Sequence, residues 1–329
     1  MVRVKPRGKS SRCSIAICCR DGTRACKTKY IGIMGTARAR RGVGCVDKWQ
    51  HKTETGLRLR LVLFLTMVIL ISGISSGFGH ATANALAAAG HIVYGTVRRE
   101  VEHIPGVHYL YADVTDETAV EKAVNQLLEE QGRIDVFINN AGMGIGGPIE
   151  FTSTRDAHLQ METNFFGLVN FCRCILPAMR RQNSGRIIAI SSIGGQIGLP
   201  FQGFYSASKY AIEGYCEALR LETSAFGIKV IVVNPGDFAT GFTSARKKVD
   251  PEAAAAYPSY AASMQGIEKD ENGGLKPQQL AKQICRIVQC RRPALQYTVA
   301  SPLQKLATTA KTILPKRLFA RIMALYYGV

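Results

Sequence analysis

Little in this sequence points to a metal site, a membrane span or a disulfide framework. The 329 residues include one tryptophan and six histidines. His80, His91, His103, His108 and His158 fall at no ligand spacing and read as surface or packing residues, so no metal is expected. Ten cysteines are present, but no CxxC pair occurs among them, and Cys172 and Cys174 point to different faces of a helix. Free thiols in a reducing cytoplasm are the expected state. The one long apolar run, Leu61 to Ile71, is eleven residues broken only by Thr66. A bilayer span takes about 20. Arg58 and Arg60 before the run imitate a signal peptide, but no small-residue cleavage site follows. A buried parallel strand explains the run better, and no transmembrane segment is expected.

Acidic residues are also scarce, 24 against 42 Lys and Arg, for a net charge of +18. The shortage is local. Residues 1–66 hold 16 basic and 3 acidic side chains, a net of +13, which leaves +5 for the other 263 residues. The body of the chain therefore needs no nucleic acid to explain its charge. Residues 1–66 show no sustained period of 2 or 3.6 and are expected to be a disordered basic extension. Three readings of them stay open: an Arg-rich targeting segment, a basic tail, or sequence ahead of a misplaced start. The last is preferred, because Met67-Val-Ile-Leu-Ile-Ser72 already reads as the first strand of a domain.

From Met67 onward strands and helices alternate. Strands are expected near 67–72, 91–97, 107–112, 134–139, 186–191, 229–234 and 295–300. Helices are expected near 78–89, 116–131, 156–182, 204–225 and 276–290. The strands are unbroken apolar runs, the pattern of a sheet covered on both faces. This is an α/β, Rossmann-type doubly wound parallel sheet of about seven strands, in a single domain over 67–329.

Three motifs carry chemistry. Ser72-Gly73-Ile74-Ser75-Ser76-Gly77-Phe78-Gly79 joins the first strand to the first helix. Glycines there let the backbone approach a pyrophosphate at the helix N-terminus. Asn139-Asn140-Ala141-Gly142 follows the fourth strand, where small residues suit close approach to a ligand. Tyr205-Ser206-Ala207-Ser208-Lys209 places Tyr and Lys at i and i+4 on one helical face. A phenol titrates near 10, too high for proton transfer near neutral pH, and a neighbouring ammonium is expected to lower it. Ser192 lies 13 residues before Tyr205, at the end of the fifth strand, where its hydroxyl can polarise a substrate oxygen.

In this order, GxxxGxG, NNAG, Ser and YxxxK, the chain resembles the short-chain dehydrogenases/reductases. The likeness is strong over about 67–240 and looser beyond. It implies a catalytic set of Ser192, Tyr205, Lys209 and Asn164, the last orienting a water in a proton relay to Lys209. It implies a nucleotide held by Ser72, Gly73, Ser75, Gly77, Phe78 and Gly79, by Asp113 and Val114 at the adenine, and by Asn140, Ala141 and Gly142. Tyr205 and Lys209 would meet the nicotinamide end, with Pro235, Gly236 and Thr240 at its carboxamide. Where an NAD-selecting carboxylate would stand the chain has Val97, followed by Arg98 and Arg99. Guanidinium groups favour a 2′-phosphate, so NADP(H) is expected over NAD(H).

The stretch from Ser192 to Lys209 and the long C-terminus resemble the 17β-hydroxysteroid and retinol dehydrogenase-like branch. That implies a hydrophobic secondary alcohol or ketone, steroid-, retinoid- or lipid-like, with Leu199, Pro200, Phe201 and Phe204 beside the reacting carbon. Residues 241–275 are expected to form a lid, and 302–327 an amphipathic helix broken near Pro315 that packs as core, dimer face or membrane-surface element. A homodimer or homotetramer on the long helices is expected. The alternative is a non-catalytic NADP(H)-binding regulator of the same fold.

Overall fold

The computed structural model describes residues 66–329 and four short strands before them. Chain contacts divide the protein into residues 1–62 and 63–329. In the first unit Ser14–Cys18 pairs antiparallel with Thr28–Gly32, and Trp49–Lys52 with Arg58–Leu61. The rest of the expected extension lies outside the described residues, and with it the choice between targeting segment, basic tail and misplaced start.

The second unit is built on seven parallel strands: β1 Val68–Ile71, β2 Ile92–Val97, β3 Val107–Tyr111, β4 Val136–Asn139, β5 Gly185–Ile190, β6 Ile228–Pro235 and β7 Gln296–Val299. Their order across the sheet is β3-β2-β1-β4-β5-β6-β7. The strand order reverses between β1 and β4, the place where such sheets open a crevice at their carboxyl ends.

Side chains on a strand alternate between faces, and the two cores record it. Val68 and Leu70 enter one core with Phe137, Ile187 and Val230. Ile69 and Ile71 enter the other with Ile138, Ile188 and Ile231. The first core is covered by α2 (Glu117–Gln131), α4 (Gly167–Gln182) and α5 (Gly203–Thr223), which contribute Leu127, Phe171 and Ile212. The second is covered by α1 (Gly77–Ala88) and α9 (Pro277–Gln289), through Leu86 and Ile284. The helix ends follow their sequence: Asp116 caps α2 by accepting from Ala119 N, and Gly132 closes it at φ 71°.

The helix expected over 156–182 is three pieces. α3 (Thr154–Met161) passes through one wide turn at Glu162–Phe166, with i to i+5 hydrogen bonding, before α4 begins. Such bulges turn a side chain out of helical register, and here the buried one is Asn164. Residues 241–275, expected as a weakly patterned lid, are mostly helical: α6 Phe242–Ala245, α7 Pro251–Ala254 and α8 Tyr260–Asn272. After β7 come α10 (Pro302–Ile313) and α11 (Lys316–Tyr327), which break at Leu314 and Pro315. Neither has a buried residue.

Candidate active site

A cavity of about 890 Å³ opens at the carboxyl ends of the strands. One end is the glycine loop. Gly73 and Gly77 have φ +69° and +57°, and a Cβ on Gly79 would lie 2.1 Å from the Gly73 carbonyl oxygen. Only glycine fits these turns. Ser76 makes no side-chain cap to α1, and the first turn of α1 has no acidic residue. The first N–H groups of α1 are thus left without a side-chain cap beside the cavity, with the positive dipole end behind them. Gly73, Ser75, Gly77, Phe78, Asp113, Val114, Asn140, Ala141 and Gly142 all line this end. The residues present fit the diphosphate and adenosine of a dinucleotide.

Three residues expected to touch the nucleotide, Ser72, Gly79 and Arg99, do not line the cavity. Ser72 is fully buried. Its hydroxyl oxygen accepts from Asn140 N at 2.9 Å and Ala141 N at 3.1 Å, and donates to Asn139 Oδ1 at 3.2 Å. It fastens the NNAG turn to the glycine loop. Asn140 completes the fastening by donating from Nδ2 to the carbonyls of Ser72 and Gly73. Gly79 packs behind the loop, against Gly73 and Asn140. At the end of β2, Arg98 lines the cavity and stands 3.8 Å from Asp113, both side chains exposed, whereas Arg99 is exposed and away from it.

The other end holds Ser192, Tyr205 and Lys209, all buried and all lining the cavity. Ser192 follows β5 and accepts from Gly194 N at 3.0 Å. Its hydroxyl stands close enough to Tyr205 to pull the phenol downward. One turn of α5 separates Tyr205 from Lys209, whose Nζ donates to Ile190 O at 2.9 Å and lies 5.8 Å from the Tyr205 ring centre. The expected lowering of the phenol is not observed. Burial pushes Tyr205 up to about 12, against the downward pull from Ser192. Burial likewise brings Lys209 down to about 8, with Glu213 acting in the opposite sense. Desolvation dominates at both groups.

Asn164 lies outside the cavity lining. Its Oδ1 accepts from Met143 N at 2.8 Å, and its Nδ2 donates to Met143 O and Ser208 Oγ, each at 3.0 Å. Ser208 Oγ in turn donates to Tyr205 O at 2.7 Å. In this structure Asn164 ties the turn after β4 to the helix carrying Tyr205 and Lys209, rather than facing Lys209 directly.

Of the expected apolar wall only Leu199 lines the cavity. Phe201 has φ +57°, and its ring turns to Tyr257 and Tyr260, at 6.2 and 5.1 Å between centres. Phe204 precedes Tyr205 on α5 and occupies another face of the helix. The wall comes instead from residues after β6. Pro235, Gly236 and Thr240 line the cavity where expected, and Phe242 meets Tyr205 at 5.7 Å between ring centres. Helices α10 and α11 roof the space with Leu306, Ala310, Leu314, Phe319 and Met323.

Charged residues also surround this end, and the sequence motifs did not mark them. Asp237, Asp270 and Glu271 line the cavity. Asp237 is raised to about 6, first by burial and then by Glu271 and Asp270, while a 2.6 Å hydrogen bond from Gln304 Nε2 opposes the shift. Glu271 pairs with Arg246, whose side chain is 0% exposed and lies over the Phe242 ring. Asp237 stands in the Pro235–Thr240 segment, where only Pro235, Gly236 and Thr240 were expected to matter. Arg246 and Glu271 lie 25 positions apart in a stretch without period, so no sequence signal joined them.

A family model described as short chain dehydrogenase matches residues 67–250. The chain is similar to a 3-ketodihydrosphingosine reductase of Bacteroides thetaiotaomicron, 47% identical over 264 residues, covering 80% of this chain and 98% of that protein. It is also similar to dehydrogenase/reductase SDR family member 7B of Xenopus laevis, 31% identical over 300 residues, covering 86% and 87%. Among solved structures, a short-chain dehydrogenase from Streptomyces avermitilis superposes with a TM-score of 0.69 at 29% identity, covering 80% of this chain and 99% of that one.

Proposed function

The chain belongs to the short-chain dehydrogenase family, and from that premise we propose that it reduces a long-chain, lipid-like ketone with NADPH. The observation that carries the reading is one cavity with Ser192, Tyr205 and Lys209 at its inner end and an apolar roof of α10 and α11 over it. The similarity to a reductase named for a long-chain keto-base supports the substrate class.

A bound nicotinamide dinucleotide supplies the hydride for the carbonyl carbon and takes it back in the reverse direction. Ser192 holds the carbonyl oxygen through its hydroxyl, and Tyr205 gives that oxygen its proton. Burial keeps Tyr205 protonated, and a phenol raised this way is a weak acid, so its donation depends on stabilising the phenolate left behind. Lys209 stands one helical turn away, where its charge stabilises the phenolate left behind. Asn164 positions the helix through Ser208.

The preference for NADPH rests on Arg98 at the cavity edge and on the buried, uncharged Val97 where a carboxylate would favour NADH. Free thiols at Cys172, Cys174, Cys216, Cys285 and Cys290 support a reducing, cytoplasmic setting. Exposed Phe166 and Leu221, beside α4 and on α5, support an oligomer formed on these helices. Among the described residues no helix is long and apolar enough to cross a membrane.

The test follows loss of reduced-nicotinamide absorbance with NADPH and with NADH, against long-chain keto-amines, steroids and retinal, for the parent and Tyr205→Phe. Turnover of a long-chain ketone with NADPH that falls roughly 10²- to 10⁴-fold in Tyr205→Phe is expected. Tight NADPH binding without turnover of any carbonyl would instead favour the non-catalytic regulator.

A further inference from the structure

Helices α10 and α11 are a thin wall. One face lines the cavity through residues such as Ala310, Leu314, Phe319 and Met323. The other face is open: Ile313 is 73% exposed and Leu325 84%, and Leu318 and Val329 are exposed beside them. Leu303, Leu306 and Ile322 are exposed and also line the cavity, so the rim of the cavity is itself apolar. A soluble helix normally buries one such stripe. Here no residue of either helix is buried.

The charge on these helices is of one sign. Residues 302–329 carry Lys305, Lys311, Lys316, Arg317 and Arg321 and no Asp or Glu. Lys311 is engaged with the carbonyl of Gln196 and the hydroxyl of Tyr210. The other four are exposed and make no ion pair among the described residues. Exposed leucines interleaved with unpaired cations, on helices of 12 residues each, match an element that lies in a membrane interface rather than across it.

We propose that α10 and α11 dock on an anionic phospholipid bilayer and admit a lipid substrate from it through the apolar rim into the cavity. The substrate half of this statement rests on the reductase reading above. Charge complementarity decides the occupant. Anionic headgroups attract the cations while the interfacial acyl region covers the leucines. A second copy of the chain on a two-fold axis would set like charges against each other. Continuity with the cavity gives the docking its use: a long-chain ketone has little presence in water, and this rim lets it pass without leaving an apolar environment.

The experiment is hydrogen–deuterium exchange on the full chain, with vesicles of phosphatidylcholine alone and of phosphatidylcholine with phosphatidylglycerol. Slowed exchange over 302–329 with the mixed vesicles only, weakened by added salt, is the expected result. Leu318→Ser with Leu325→Ser, or Lys316→Glu with Arg321→Glu, should remove it. None of these four side chains lines the cavity. Turnover of a water-soluble short ketone should therefore stay at the parental rate in either variant, while turnover of a vesicle-borne long-chain ketone falls roughly tenfold or more. Protection confined to residues 1–66, equal protection on neutral vesicles, or protection that tracks protein concentration without vesicles would each overturn docking. Exchange needs no turnover, so docking without reduction of any ketone sinks only the reductase reading.

Discussion

The sheet with its glycine loop and the roof over the cavity, residues 241–275 with α10 and α11, are held by different forces. In the first, side chains such as Ile69, Leu70 and Phe137 are fully buried, and polar groups are spent on fixing the backbone, as Ser72 and Asn140 fix two loops to each other. In the second, α10 and α11 bury no residue, and polar latches join them to the body. Gln304 of α10 holds Asp237, and Tyr326 of α11 donates to Asp270 at 3.1 Å. A region with little buried apolar area opens at low free energy. That suits the proposed entry wall and would be unsuitable for a loop proposed to hold a diphosphate.

The contrast can be broken most severely where the roof has its one buried charge pair. Replacing Arg246 by Leu leaves the half-buried Glu271 beside the cavity without its cation, held only by the Thr243 hydroxyl. A loss of about 3–5 kcal/mol is expected in denaturant unfolding, well above that of an exposed roof substitution. A loss under about 1 kcal/mol would mean the pair is solvated and the roof has no rigid part.

Next in size is Ser72→Ala. It removes the acceptor shared by two backbone N–H groups, and about 1–3 kcal/mol of stability should go with it. Affinity for NADPH, measured by titration of the free enzyme, should fall as well, because the glycine loop loses its tie to Asn140. An unchanged affinity would show that the loop holds its shape without the hydroxyl.

The smallest effect sharpens the comparison from the roof side. Asp237 is raised to about 6 from an ordinary value near 4, so its protonated form is favoured by folding. That stabilisation is complete below about 4 and is lost as pH rises through about 6, beyond which the buried carboxylate weakens the native state. Asp237→Asn should keep the Gln304 hydrogen bond and raise Tm above pH 6 by the equivalent of roughly 1 kcal/mol, with no gain below pH 4. A gain that is the same at all pH values would assign it to packing instead.

How far the sequence could be read follows the same division. The glycine loop, NNAG and Tyr205–Lys209 are short contiguous motifs whose residue types are demanded by local geometry, and each stands on its expected element. The roles within them were less legible. Ser72, expected at the nucleotide, turns inward to Asn140 and Ala141, and Asn164, expected to orient a relay water, bonds Met143 and Ser208. Phe201 looked like cavity wall until a positive φ turned it to Tyr257 and Tyr260. The basic character of Lys209 suggested a lowered phenol, but burial of both groups reversed the sign at Tyr205.

By itself the sequence determined the seven-strand parallel architecture and the positions of the glycine loop and the Ser, Tyr and Lys. Apolar alternation and backbone-specific glycines act over a few residues and need no distant partner. Only the tertiary structure decided the pairing of Arg246 with Glu271, the elevation of Asp237 and the apolar roof continuous with the cavity. Those depend on which groups lose water together, and burial is a property of the assembled chain.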